Sequence, residues 1–233
     1  MNNNIHVSGH PSSRKDSLIL AVLIGSLWGL SEAVLGPVIR HYAAPLRAAL
    51  LTGTGMAWLG IFLALSRRPG FLFITALITM AAMHISVPVL QCSFLCKANS
   101  SLAVMLHGSA LFTVITITGT QFWNRTALQA LAGFGAPLLS GTLFFYSGMR
   151  LAPCAYLLSY NHGSGLSSFF MHEILLWSLF SMLLLPAGFA AGNVCRSTFV
   201  SFRQKKPALC VSGSLAAVFL CWVALVFIAV SGS

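Results

Sequence analysis

Five ionisable side chains each fall inside an otherwise apolar run: Glu32, His84, His107, His172 and Glu173. Two of them have a tryptophan one helical turn away. Trp28 precedes Glu32 by four residues and Trp177 follows Glu173 by four, so each pair shares one stripe of its helix. A carboxylate above an indole suits a cation or a nitrogen-rich ring, because the ring face carries a negative quadrupole and the carboxylate a full charge. The same histidines also have the chemistry of metal ligands. His84, His107 and His172 with Glu32 or Glu173 make a nitrogen and oxygen donor set for zinc, cobalt or nickel, and Met80 lies on the His84 stripe. Met105, two residues from His107, points to the opposite face of its helix. His84 and His107 are, as a pair, the residue type of axial haem ligands. Each of these groups also has a plain structural role open to it, a hydrogen bond to the next helix or a large side chain filling an interface.

The elements that must position these residues follow from the composition. Of 233 residues 57% are hydrophobic and 7% charged, with a mean hydropathy of +0.86, whereas a soluble domain carries about a quarter charged residues. So few charges cannot clothe a soluble surface, and the outer solvent is a bilayer. Apolar runs long enough to span one cover roughly residues 17–37, 45–65, 71–90, 101–119, 127–149, 166–190 and 208–230. Lipid leaves backbone groups no partner outside their own segment, so each run is expected to be a helix. The expectation is an all-α polytopic bundle of seven spans, or six if the last does not cross: a polar tail over 1–16, then one transmembrane domain over 17–233.

No small-residue cleavage site closes the first apolar run, so it reads as a retained helix behind a polar tail. Lys and Arg concentrate in the tail and in alternate connections, at Arg14, Lys15, Arg67, Arg68, Arg125, Arg196, Arg203, Lys205 and Lys206. The opposite side holds only Arg40, Arg47, Lys97 and Arg150. The richer side belongs in the cytoplasm, with the N-terminus, in a bacterial inner (cell) membrane. The net charge of +10 then reports contact with anionic headgroups and not nucleic acid. On this map all five ionisable residues sit about 9 Å below the outer surface, at 1.5 Å per residue. Residues at such depth usually face a cavity or a partner, and a shared outward-opening pocket is expected.

Other motifs are sparse. The "TGTG" at 52–55 lies in an apolar run and matches neither phosphate-binding glycine pattern, and the "MHE" at 171–173 holds an isolated His-Glu dipeptide, so no enzyme is indicated. On the first span Ala21, Gly25, Gly29 and Ala33 recur every four residues, a small-residue ridge suited to close approach by a helix, of a partner as the expected reading or of this same chain as the alternative. Cys92, Cys96 and Cys154 fall on the outer side, where a loop disulfide or soft metal ligation is open to them; Cys195, Cys210 and Cys221 read as structural.

The tail, the ridge, the compact helical body and the outer polar layer resemble the substrate-binding (S) components of energy-coupling factor vitamin transporters. "LWGLSEAVLG" and "KANSSLAVMLHG" are also similar to an uncharacterised bacterial membrane family related to them. The resemblance implies that the first helix docks on a transmembrane coupling subunit driven by ATPases and that the ligand binds near the outer face. S components commonly have six helices, so a seventh span departs from their pattern. The expected function is binding of a small cationic or nitrogenous solute for uptake, with no cofactor identified. A transition-metal carrier, a haem or redox protein and an assembly factor are the alternatives.

Overall fold

The computed structural model describes residues 13–43, 46–85, 94–160 and 165–231, and all regular structure in them is helical. The long helices are α1 (Arg14–Tyr42), α2 (Arg47–Ser66), α3 (Leu72–Ile85), α4 (Phe94–Thr118), α5 (Thr126–Leu151), α6 (Leu166–Lys205) and α7 (Pro207–Ser231). Six helices are long and apolar enough to cross a membrane, and Pro69–Ile85 is a shorter apolar segment. The chain is a polytopic all-α membrane protein.

Local chemistry sets the helix ends. Ser13 and Asp16 form a capping box at the start of α1, the Ser13 amide donating to Asp16 Oδ2 at 2.9 Å, so the first turn's free amides are satisfied three residues before the predicted span. Arg67 ends α2 in a left-handed conformation, φ 53°, and Pro69 opens the 3-10 turn that leads into α3. Between α6 and α7 only Lys206 is non-helical, and Pro207, whose missing amide costs nothing at a helix start, begins the last span.

Two boundaries depart from the sequence reading. α4 begins at Phe94 instead of about residue 101. The stretch expected to be a loop after residue 190 is helical to Lys205, because its apolar residues still have something to pack on: Phe199 lies against the main core and Arg203 pairs with the buried Asp16. α6 with its first turn is 40 residues long, about 60 Å at the helical rise and roughly twice the hydrocarbon thickness.

Six helices close into a ring in the order α1, α3, α4, α5, α6, α2, with α2 packing back on α1; α7 lies outside, against α1 and α3. The tightest seam is α2 against α6. A Cβ at Gly60 would fall 2.5 Å from the Leu185 carbonyl oxygen, and one at Gly188 would collide with the main chain of Ala57. The "TGTG" glycines also admit close neighbours, Gly53 against Phe180 and Leu184 of α6 and Gly55 against the Trp28 indole.

The ridge on α1 is used inside the chain. A Cβ on Gly25 would lie 2.7 Å from the Thr75 carbonyl and one on Gly29 2.5 Å from Ala82 Cβ, while Thr79 Oγ1 donates to the Gly25 carbonyl at 3.1 Å. Ala21 is buried in the main core, and Ala33 packs with Ala82 of α3 and Leu225 of α7. The expectation that Ala21, Gly25, Gly29 and Ala33 face a partner is corrected: α3 occupies the groove they make.

At one end of the bundle Arg67, in the α2–α3 connection, is tied to the α4–α5 connection and to α6. Its Nη2 donates to Asn193 Oδ1 at 3.0 Å, and its guanidinium lies 5.2 Å from the Trp123 ring centroid and 5.1 Å from that of Phe189. Burial, with Arg196 nearby, lowers the Arg67 pKa. Arg67 and Trp123 belong to connections that the charge pattern puts on one side.

Candidate functional site

Glu173 stands in a single π-helical turn, Phe170–Ile174, set into the first part of α6. Such turns insert one extra residue, shift the facing of the segment before them and are frequent at functional sites. Trp177 Nε1 donates to Glu173 Oε2 at 3.1 Å, and the Tyr160 hydroxyl donates to Oε1 at 2.9 Å. Tyr160 comes from the connection between α5 and α6, just after the helical turn Ala155–Leu158. Both carboxylate oxygens are thus held by neutral donors, and no cationic side chain pairs with Glu173 among the described residues.

Beneath it is an aromatic box. Trp177 is 3% exposed, with Phe169 edge-on at 5.6 Å between centroids and Phe144 and His107 each at 6.0 Å. His107 of α4 reaches Trp177 of α6 although α5 stands between those helices in the ring, so the two rings meet on its inner side. Because α4 starts early, His107 lies at the level of Trp177, deeper than the common layer predicted for it. Its Nδ1 contacts the Ala103 carbonyl one turn back, and its Nε2 has no partner among the described residues.

Glu32 has the same motif in mirror order. Trp28 Nε1 donates to Glu32 Oε1 at 3.2 Å, with the indole 2% exposed against Gly55. Ser31 on the next stripe donates to the Trp28 carbonyl at 2.7 Å and accepts from Trp58 Nε1 at 3.1 Å, which fastens α2 to α1. Glu32 thus accepts from an indole of its own helix α1, while Glu173 accepts from α6 and from the connection before it.

The remaining candidates divide differently. His84 at the end of α3 has Nε2 2.9 Å from the Ser101 hydroxyl of α4. His172 is exposed and donates from Nδ1 to the Ser168 carbonyl at 2.9 Å, so it is turned away from Glu173 and is corrected out of the site. Adjacent helical residues point about 100° apart, which is the reason. Met80 is half-buried on α3. Among the described residues no three of His, Cys, Asp or Glu gather closely enough for a metal ion. The donor set read from sequence does not fit one: Ser101, Trp177 and Ser168 take the histidines in separate directions. Cys92 and the side chain of Cys96 lie outside the described residues; Cys154 is a free half-buried thiol, Cys195 is exposed and Cys210 and Cys221 are buried packing residues.

Sequence reasoning missed Tyr160, Ser101 and the box of Phe144 and Phe169. The signal available was Tyr156 and Tyr160, spaced four apart beside the mouth of a span carrying a glutamate. Burial and the hydrogen bond to Glu173 push the Tyr160 phenol up to about 12. A phenol whose folded-state pKa is raised contributes stability that is present below its ordinary value near 10 and is lost as pH climbs through the folded value. The phenolate absorbance that Tyr160→Phe removes is therefore expected to develop only near pH 12. Its appearance at the ordinary pH of an exposed tyrosine would show that the bond to Glu173 is not made.

Comparison with protein-family models, curated proteins and solved structures finds no match to this chain.

Proposed function

We propose that this protein binds a small cationic, nitrogen-bearing solute in a bacterial cell membrane, as the substrate-binding component of an uptake system. Glu173 carries the reading: a carboxylate inside a membrane helix, bonded through both oxygens to neutral donors, given no cation by the described residues of its own chain and set over an indole. An intramembrane carboxylate costs about 2.5–3.5 kcal/mol by insertion scales, and a cationic solute against the indole and carboxylate offsets that cost. The resemblance of the tail, first span and compact helical body to S components, and of "LWGLSEAVLG" and "KANSSLAVMLHG" to an uncharacterised family related to them, supports the same reading and implies an energised coupling subunit. Since α3 fills the Ala21–Ala33 stripe, such a subunit would use another surface.

A hydrophobic carbodiimide, which modifies carboxyl groups within membranes, tests this directly. Peptide mapping of protein in nanodiscs should find label on Glu173, and millimolar guanidinium should protect it while equal sodium does not. Labelling of Glu173 that neither cation alters would sink the proposal.

A further inference from the structure

The second ring nitrogen of His107 narrows what the solute must be, on the premise that Glu173 is a cation site. His107 is 5% exposed. Its Nδ1 meets the Ala103 carbonyl, and a carbonyl oxygen can only accept, so Nδ1 carries the hydrogen. In the neutral imidazole Nε2 is then a bare lone pair, and this buried acceptor has no partner among the described residues. A buried acceptor left unpaired is costly unless something donates to it. The imidazole lies 6.0 Å from the Trp177 ring, tilted by 40°, and the same indole holds Glu173 at 3.1 Å. The open acceptor and the carboxylate, which has no cation among the described residues, thus adjoin one aromatic surface.

We infer that the solute is a cation bearing N–H groups, which donates one hydrogen bond to His107 Nε2 and sets its charge against Glu173. Guanidinium, amidinium and protonated-amine compounds meet both demands. Quaternary ammonium ions carry the charge without a hydrogen to give, and carboxylates or carbonyl groups would set acceptor against acceptor. The aromatic box treats all the cations alike, so it is His107 that discriminates.

Guanidinium and tetramethylammonium, both small enough to enter without a shaped fit, are the probes. In nanodiscs carrying protein labelled with 15N at histidine and tryptophan, the His107 signals are identified by their loss in His107→Phe. The free protein should show a protonated Nδ1 and an unprotonated Nε2. Guanidinium should shift both that Nε2 resonance and the Trp177 indole, and should bind at least about tenfold more tightly than tetramethylammonium, the worth of one buried hydrogen bond. His107→Phe should abolish the preference while keeping weak binding of both. If that variant does not fold, the identified signal is taken from His107→Gln and the wild-type shifts decide. Equal binding of both ions without response at Nε2, or a tautomer with the hydrogen on Nε2, overturns the inference and leaves Glu173 as a cation site. No response of Trp177 to either ion overturns the Glu173 reading and this inference with it.

Discussion

Replacing Gly188 with leucine is expected to cost the protein its folded state, and replacing it with alanine to cost much of its stability. A side chain there meets the Ala57 main chain, its oxygen, carbonyl carbon and Cα together, so no flexible neighbour can yield and the α2–α6 pair must separate. That seam runs on through Gly60 and Gly192, and opening it at one point loosens all of it. Overpacking typically costs 1–3 kcal/mol; alanine at a main-chain contact belongs at the top, about 3 kcal/mol, against a total of roughly 5–15 kcal/mol for a typical domain. Leucine adds three more carbons to the same space. Gly135 and Gly213, where a Cβ would meet nothing within 4 Å, are the matched controls, and alanine there should be neutral or stabilising by up to about 1 kcal/mol. The measurement is the fraction of monodisperse protein left after heating in detergent. A Gly188→Leu protein as heat-resistant as the parent would mean that α2 and α6 do not approach this closely.

At Glu173 the expected loss is in binding and not in folding. Glutamine keeps the outline of the side chain; its amide oxygen can still accept from Trp177, and the Tyr160 hydroxyl can turn to accept from the amide nitrogen. The fold should therefore lose only about 1 kcal/mol. What disappears is the charge, and losing a charge-assisted contact of about 1.5–3 kcal/mol weakens binding roughly 10- to 150-fold. Guanidinium affinity, measured in nanodiscs by the Trp177 indole shift, should fall by that factor in Glu173→Gln. Glu32→Gln should change it by no more than about twofold, because the indole that Glu32 accepts from is Trp28 of α1, whereas Trp177 donates to Glu173. Equal losses at the two positions would mean that both carboxylates hold one ion.

Much of the architecture was legible because a bilayer leaves few options: an apolar run of the right length has to be a helix, and in the described residues each of the seven runs is helical, the third as the shorter Pro69–Ile85. The Trp28–Glu32 and Glu173–Trp177 pairs were legible for the same reason, since a helix fixes which side chains share a stripe. The identity of neighbours was not. The spacing of Gly25 and Gly29 says that a helix comes close, and nothing in it says that the helix is α3 of the same chain. His172 was grouped with Glu173 by depth alone, although consecutive residues diverge around the axis. The π-helical turn has no marker in "FMHEI", and Tyr160 reaches Glu173 from a connection whose path composition does not fix.

The ring order has a consequence for how the protein is made. Helices enter the membrane in the order of translation, yet the broadest partner of α2 is α6, which emerges only after α3, α4 and α5. In that interval α1, α3, α4 and α5 can pair in succession while the glycine face of α2 waits against lipid, and Gly53, Ala57, Gly60 and Ala64 leave no polar side chain exposed there. Seating α6 shuts the ring and, in the same motion, carries Glu173 and Trp177 to His107. The proposed binding site is thus the last part of the ring to exist, and a nascent chain stopped before α6 lacks its Glu173 carboxylate.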